Sequence, residues 1–238
     1  MHQKNSFLAI IPARKGSKRI PRKHLEEIGG KPMIQFTIEA AMSTIPTQNI
    51  FISTDDDDVI NLSKKLGLDI PFIRPKNLSS DTTKTSDVIQ HLLDWYEFKF
   101  KELPDNILLL QPTSPFRNAK DIELAIEKHI ESSKKTLVSV SNPLQHPVDF
   151  ILKGSDGKFK KLVSCIDEYK LQPISDVFFI DGGIYIINTV EFLDSHDLIG
   201  NDPEIIILPK NHAIDIDTLF DLDIARAVYN SKILSIEK

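Results

Sequence analysis

A single cysteine, Cys165, stands in a chain of 238 residues, so no disulfide can form within it. A small secreted scaffold stapled by bridges is excluded, and a reducing cytosol is the expected compartment. With only 9 glycines and 14 prolines, the chain is neither collagen-like nor dominated by linkers. Long apolar runs are missing too. The one early stretch, Phe7 to Ile11, runs into Pro12 and then Arg14-Lys15; it is short for a signal segment and far below the ~20 residues of a membrane span. A soluble, unprocessed protein is expected. Nor is there an excess of positive charge: 29 Lys and Arg against 34 Asp and Glu leave a net −5. Broad electrostatic binding to nucleic acid or to a membrane surface is disfavoured, and any anion site must be local. His91, His129, His196 and His212 show no H-x-x-x-H or Cys/His spacing, which argues against a transition-metal site.

What is present is an ordinary globular composition, 41% hydrophobic and 26% charged, in a length that fits one domain over residues 1–238. Short β-branched runs alternate with amphipathic segments of helical length. Strands are expected at Phe7–Ile11, Ile50–Ile52, Pro71–Ile73, Ile107–Leu110, Leu137–Val140, Ile184–Ile187 and Ile205–Leu208. Helices are expected near 32–43, with Pro32 in the first turn, 59–66 ending at Gly67, 86–98, 119–132 and 218–229, the last opened by a Thr218-x-x-Asp221 capping box. The pattern predicts an α/β fold with a mostly parallel sheet and helices on both faces, where ligands bind beyond the carboxyl ends of the strands. The rhythm breaks at about 142–178, where residues 148–163 read as a hairpin around Asp156-Gly157. Phe150, Ile151, Leu152, Phe159 and Leu162 of this insertion need a covering partner, so a homodimer is expected.

Chemistry concentrates after the first strand. Arg14 to Lys23, "RKGSKRIPRK", carries six basic residues in ten, while the other 23 basic residues of the chain face 34 acidic ones. Six cations in one loop repel each other unless a polyanion neutralises them. Gly16 and Ser17 let backbone N–H groups approach phosphate oxygens, and a nucleoside triphosphate fits. The loop matches neither G-x-x-x-x-G-K-[ST] nor G-x-G-x-x-G, which disfavours P-loop ATPases and nicotinamide-dependent dehydrogenases. Near the other end, Asp215 and Asp217 in "IDID" lie two apart, so that an extended segment would point both carboxylates to one face, suited to one hard cation.

The ordered series "IIPARKGSKRIPRKH", "FISTDDDDV", "FIRPKNLSSDTTKTSDVI", "LLQPTSPFR", "DGGIYII" and "IDIDTLFDL" resembles the motifs of the CMP-sialic acid synthetases, the cytidylyltransferases of nonulosonic acids, over nearly the whole chain. The resemblance implies a Rossmann-like fold, CTP as co-substrate, Mg²⁺, and a homodimer that exchanges its insertion. It implies transfer of CMP to the anomeric hydroxyl of a sialic-type acid for surface glycan synthesis. By the same resemblance Arg14 and Lys23 contact the triphosphate, with Gly16, Ser17 and His24 beside them and Lys18, Arg19 and Arg22 adding field. Arg74, Thr83 and Thr85 read the cytosine; Gln111 and Tyr185 face the sugar; Asp215 and Asp217 hold the metal. Arg14, Lys23 and Asp217 would then be the catalytic set.

The chain departs from that pattern at four places. His24 stands where the family has asparagine, and Asp181 replaces the asparagine before the glycine pair Gly182-Gly183. No arginine occurs between Arg117 and Arg226, and Asp149 follows the His146-Pro147-Val148 segment where a lysine is usual. The acceptor's carboxylate therefore needs another partner, with Lys153 and Lys170 as candidates. A cytidylyltransferase for an octulosonate-type or other sugar, a nucleotide-binding regulator without turnover, and a nucleic-acid module on the basic loop stay open as alternatives.

Overall fold

A computed structural model describes residues 6–145, 147–162 and 177–231. Strand β1 (Phe7–Ala13) is buried along both faces, as an interior parallel strand must be. After the basic loop, a two-stranded ribbon of β2 (Glu27–Ile28) and β3 (Lys31–Pro32) turns through Gly29 and Gly30, both at positive φ. Helix α1 (Met33–Met42) follows, with Pro32 at its N-cap, one place earlier than the first-turn position expected. Next come β4 (Ile50–Thr54), fully buried, and α2 (Asp57–Lys65), whose N-cap Asp56 accepts the Asp58 N–H and whose end is closed by Gly67 at φ 90°. Helix α3 (Thr85–Phe100), strand β5 (Asn106–Leu109), helix α4 (Ala119–Glu131) and strand β6 (Thr136–Ser141) continue the alternation. The hairpin of β7 (Ile151–Lys153) and β8 (Phe159–Lys161) stands apart, and β9 (Phe179–Asn188), α5 (Thr189–Ser195), β10 (Glu204–Ile207) and α6 (Leu219–Asn230) complete the chain.

The main sheet has the order β10-β6-β9-β5-β1-β4. Every neighbouring pair is parallel except the two that β9 makes with β5 and β6. Alternate residues of β1 sort the helices onto two faces. Ala9 and Ile11 pack with Ile34, Ile38, Val59 and Ile122 of α1, α2 and α4, whereas Leu8 and Ile10 pack with Ile89, Leu92 and Phe192 of α3 and α5. A third cluster seats Leu222 and Ala225 of α6 against Ile28, Met33 and Ile216. This places the carboxyl ends of β1, β4 and β5 and the amino end of the reversed β9 along one edge.

Two expectations are corrected. The segment Pro71–Ile73 joins no sheet: Phe72 packs its ring on His91 and Trp95 of α3 while Ile73 is exposed, so its apolar character serves helix contacts instead of strand pairing. The short α5, opened by Asn188 accepting the Glu191 N–H, was not anticipated because seven residues are too few to show a period. The Thr218 capping box is present, and Asn118 with Asp121 builds a second one. The hairpin lies where expected, with Val163 outside the described residues, as are Cys165 and Lys170.

Gly29 is the glycine on which packing leans hardest, because a Cβ there would fall 1.9 Å from the Tyr229 ring of α6. Gly29→Ala is expected to lower stability by on the order of 1–3 kcal/mol. Gly30→Ala, whose Cβ would meet nothing within 4 Å, is expected to cost only the ~1 kcal/mol of its left-handed backbone. Urea midpoints of the two variants measure the difference.

Candidate active site

The strand ends along that edge enclose a cleft of about 430 Å³. From the loop after β1 come Arg14, Gly16, Ser17, Lys18, Arg19, Lys23 and His24; from the segment after α2 comes Arg74; from the loop before α3 and its first turn come Thr83 and Thr85; from just past the end of β5 comes Gln111; and from the segment before α6 comes Asp217. Ten of the twelve residues expected to form the site thus line one cavity. Asp215 and Tyr185 are not among its lining residues.

Lys23 joins the two ends of the chain. Its Nζ donates to the Ile216 carbonyl at 2.9 Å and to Asp217 Oδ1 at 3.0 Å, and its side chain is only 12% exposed. Arg19 reaches the other oxygen of Asp217 at 3.1 Å. Arg14 and Lys18 instead meet on Asp81, at 2.7 and 2.6 Å. Arg22, in a left-handed conformation, turns away to Asp58 and does not line the cleft. The loop is pinned by the Lys15 N–H, which donates to Asp55 at the end of β4 at 2.7 Å. Gly16 has no positive φ; a Cβ there would touch Arg14 Nη1 at 3.4 Å, an ordinary contact.

Arg74 is buried, with Nε on Ser53 Oγ at 3.0 Å and Nη2 on the Ser53 carbonyl at 2.7 Å, so β4 fixes its orientation. Burial first, and then the charge of Arg14, lower its pKa to about 10 against the opposing pull of Asp55, which still leaves it cationic at neutral pH. Burial followed by the charges of Lys23, Arg74 and Arg14 pushes His24 down to about 3. His24 is therefore a neutral imidazole among cations, and its buried Nδ1 has no hydrogen-bond partner. Thr83 shares a hydrogen bond with Ser80 at 2.8 Å, and Thr85 begins α3, whose N-cap Lys84 leaves the first-turn N–H groups without a side-chain cap.

Asp215 and Asp217 flank the fully buried Ile216, which is tied to Thr113 through its N–H at 2.8 Å. They lie in a segment outside the sheet. Burial raises the Asp215 carboxyl above the ordinary range, the hydrogen bond from Thr113 opposes this, and the charge on Asp217 adds to it. Burial raises Asp217 as well, but Lys23 and Arg19 outweigh it and hold that carboxyl low. Asp215 Oδ1 is buried without a hydrogen-bond partner. These two carboxylates are the oxygen donors available to a hard cation; among the described residues no group of three or more His, Cys, Asp or Glu side chains converges.

At the acceptor side, Gln111 lies beside the start of β9. A Cβ on Gly182, at φ 75°, would sit 3.5 Å from Gln111 Oε1. Tyr185 is buried in the core between β5 and β6, its hydroxyl pushed up to about 12 by burial and then by Asp181 and Asp215. Asp181 is buried; its Oδ1 accepts from Ser139 and, at 2.9 Å, from the Gly183 N–H, and burial raises its carboxyl. Lys153 is exposed on β7, over the Phe159 ring. Asp81 was not legible in the sequence, because nothing local ties a single carboxylate before α3 to the basic loop after β1.

A family model described as Cytidylyltransferase matches residues 8–156, more than half of the chain. The chain belongs to the cytidylyltransferase family. A pseudaminic acid cytidylyltransferase of Campylobacter jejuni is 31% identical over 228 residues, covering 93% of this chain and 95% of the relative. A CMP-N,N'-diacetyllegionaminic acid synthase of Legionella pneumophila is 34% identical over 221 residues, covering 90% and 92%. An N-acylneuraminate cytidylyltransferase of Streptococcus agalactiae is 30% identical over 90% of this chain, which spans 51% of that longer relative. A solved structure of CMP:2-keto-3-deoxy-manno-octonic acid synthetase complexed with CTP shares the fold, with a TM-score of 0.66 at 18% identity, covering 96% of this chain and 100% of that one. The family's nucleotide chemistry agrees with the cationic cleft that the fold assembles.

The low pKa of His24 has a consequence for this cytidylyltransferase. Below about pH 6.5 the unfolded chain takes up a proton that the folded chain refuses until about pH 3, so stability falls on acidification through that interval. His24→Asn is expected to flatten that fall, as read from urea midpoints taken across the interval.

Proposed function

We propose that the cleft binds CTP and transfers CMP to the anomeric hydroxyl of a nonulosonic acid, releasing pyrophosphate. The observation that carries this reading is the meeting of Lys23 and Asp217 at 3.0 Å, which brings the cationic loop and the acidic pair to one place. Displacement at phosphorus is mostly positioning plus stabilisation of charge on the phosphate oxygens. Arg14 and Lys23 supply fixed positive charge from a part-buried loop, where it acts more strongly than in bulk water. His24 offers a neutral hydrogen-bonding nitrogen beside them. Arg74, Thr83 and Thr85 provide a guanidinium and two hydroxyls for the carbonyl and amino edge of cytosine. Gln111 and the irregular stretch of β9 at Gly182 form the wall for the sugar, with Tyr185 behind it.

Two carboxylates with only oxygen donors, one with an unpartnered buried oxygen, suit Mg²⁺, and Asp215 and Asp217 would hold it. When bound, the ion supplies neutralisation of the charge that develops on the phosphate oxygens. The exposed apolar residues of the insertion, Phe150, Ile151, Leu152 and Phe159, with Phe179 and Ile180 at the start of β9, support a homodimer formed through this region. No helix among the described residues is long and apolar enough to cross a membrane, and a cytosolic location accords with the lone cysteine.

The relatives named above act on pseudaminic, diacetyllegionaminic and N-acylneuraminic acids, and the acceptor here is proposed to belong to the same nine-carbon class. Pyrophosphate release from CTP and Mg²⁺, measured with each of these acids and with an octulosonic acid, tests this. Turnover with a nine-carbon acid is expected; turnover with the octulosonic acid alone, or CTP binding with no release on any acceptor, contradicts it.

A further inference from the structure

We propose that Asp81 is an internal rival of the triphosphate, holding Arg14 and Lys18 before CTP binds and reclaiming them as pyrophosphate leaves. The inference rests on the reading of the cleft as the CTP site. Each oxygen of Asp81 carries one cation: Oδ1 takes Arg14 Nη2 at 2.7 Å and Oδ2 takes Lys18 Nζ at 2.6 Å, and all three residues line the cleft. A carboxylate bridging two cations occupies the place that a phosphate would use.

The other two carboxylates that form ion pairs with the loop among the described residues differ. Asp217 is paired with Arg19 and Lys23 beside Asp215, an arrangement that a cation can share with a phosphate. Asp58 holds Arg22 away from the cleft. Among the described residues Arg14 and Lys18 form their ion pairs with Asp81 alone, so a phosphate arriving on these two cations meets that negative charge and must displace it.

The segment that carries Asp81 is suited to such an exchange. Ser80, Thr82 and Thr83 bond mainly to one another, and Asp81 itself is exposed. The same segment bears Thr83 and Thr85, so displacement of Asp81 and seating of the base act on one loop. The rivalry weakens only ligands that need Arg14 and Lys18. It lowers the affinity for CTP and for pyrophosphate, and it spares CMP, whose single phosphate need not take both Arg14 and Lys18 from Asp81. The gain is release of pyrophosphate.

Asp81→Asn removes the charge and keeps the shape. Calorimetric titration with Mg²⁺ and pyrophosphate, CTP or CMP is expected to show pyrophosphate and CTP binding about five- to tenfold tighter, the size of two partly exposed ion pairs, with CMP changed less than about twofold. Asp81→Ser is expected to behave alike. Asp58→Asn, the same charge change outside the cleft, is expected to leave all three affinities in place. Weaker or unchanged pyrophosphate binding in both Asp81 variants overturns the proposal, as does equal tightening of CMP or an equal effect of Asp58→Asn. A wild-type chain that binds neither CTP nor pyrophosphate overturns the reading of the cleft along with it.

Discussion

Lys23→Ala is expected to lower turnover of CTP by about a hundredfold or more and to leave the fold intact. The side chain is the most enclosed of the cleft's ion-paired cations, and its Nζ is held by the Ile216 carbonyl and Asp217. A charge fixed in that way needs no reorganisation as negative charge builds on the phosphates, and loss of one such stabilising group costs about 10²–10³ in kcat. Alanine also unties the loop from the segment before α6, so KM for CTP rises as well. Arg22→Ala provides the contrast: Arg22 turns outward to Asp58, and the variant is expected to keep turnover within about threefold, as rim charges do. Pyrophosphate release at saturating CTP measures both. Equal losses in the two variants would mean that the loop acts only through its total charge.

Asp217→Asn carries the second large effect. Its carboxylate receives Lys23 and Arg19 and is half exposed, so the amide is expected to change stability by less than about 1 kcal/mol. If Asp217 holds the proposed Mg²⁺, turnover at fixed Mg²⁺ is expected to fall by about a hundredfold or more, because the ion would neutralise the phosphate charge. The Mg²⁺ concentration needed for half-maximal rate is expected to rise, while CTP remains bound through Arg14 and Arg74. Near-normal rate and Mg²⁺ dependence in this variant would remove Asp217 from the metal site.

The fold was legible where burial imposes a period. β1, β4, β5 and β6 read as continuous apolar runs because both of their faces are covered, and Thr218 with Asp221 announced the start of α6. Phe72 misled because a side chain packing on a helix leaves the same mark in sequence as one packing in a sheet. The reversal of β9 was not legible, since residues buried on both faces carry no direction. At the cleft, the loop's charge and place after β1 pointed to the whole segment from Arg14 to Lys23, and the motif series singled out Arg14, Lys23, Arg74, Thr85, Gln111 and Asp217, all of which line one cavity. Spacing could not separate Arg22 from its neighbours, because a left-handed residue is set by the local turn and not by composition. The partnership of Asp81 with Arg14 and Lys18 spans the chain from β1 to α3, a distance no local pattern reports.

On the proposed reading, the loop after β1 and the acidic pair before α6 grip one triphosphate, the loop directly and the pair through a divalent cation. The most direct measurement is a crystal structure of the protein with a non-hydrolysable CTP analogue and Mn²⁺, whose anomalous signal marks the ion. Phosphates are expected between Arg14 and Lys23, with an anomalous peak within bonding distance of both Asp215 and Asp217 carboxylates and of a phosphate oxygen. A nucleotide seated elsewhere, or a peak on the phosphates that neither carboxylate touches, would contradict it.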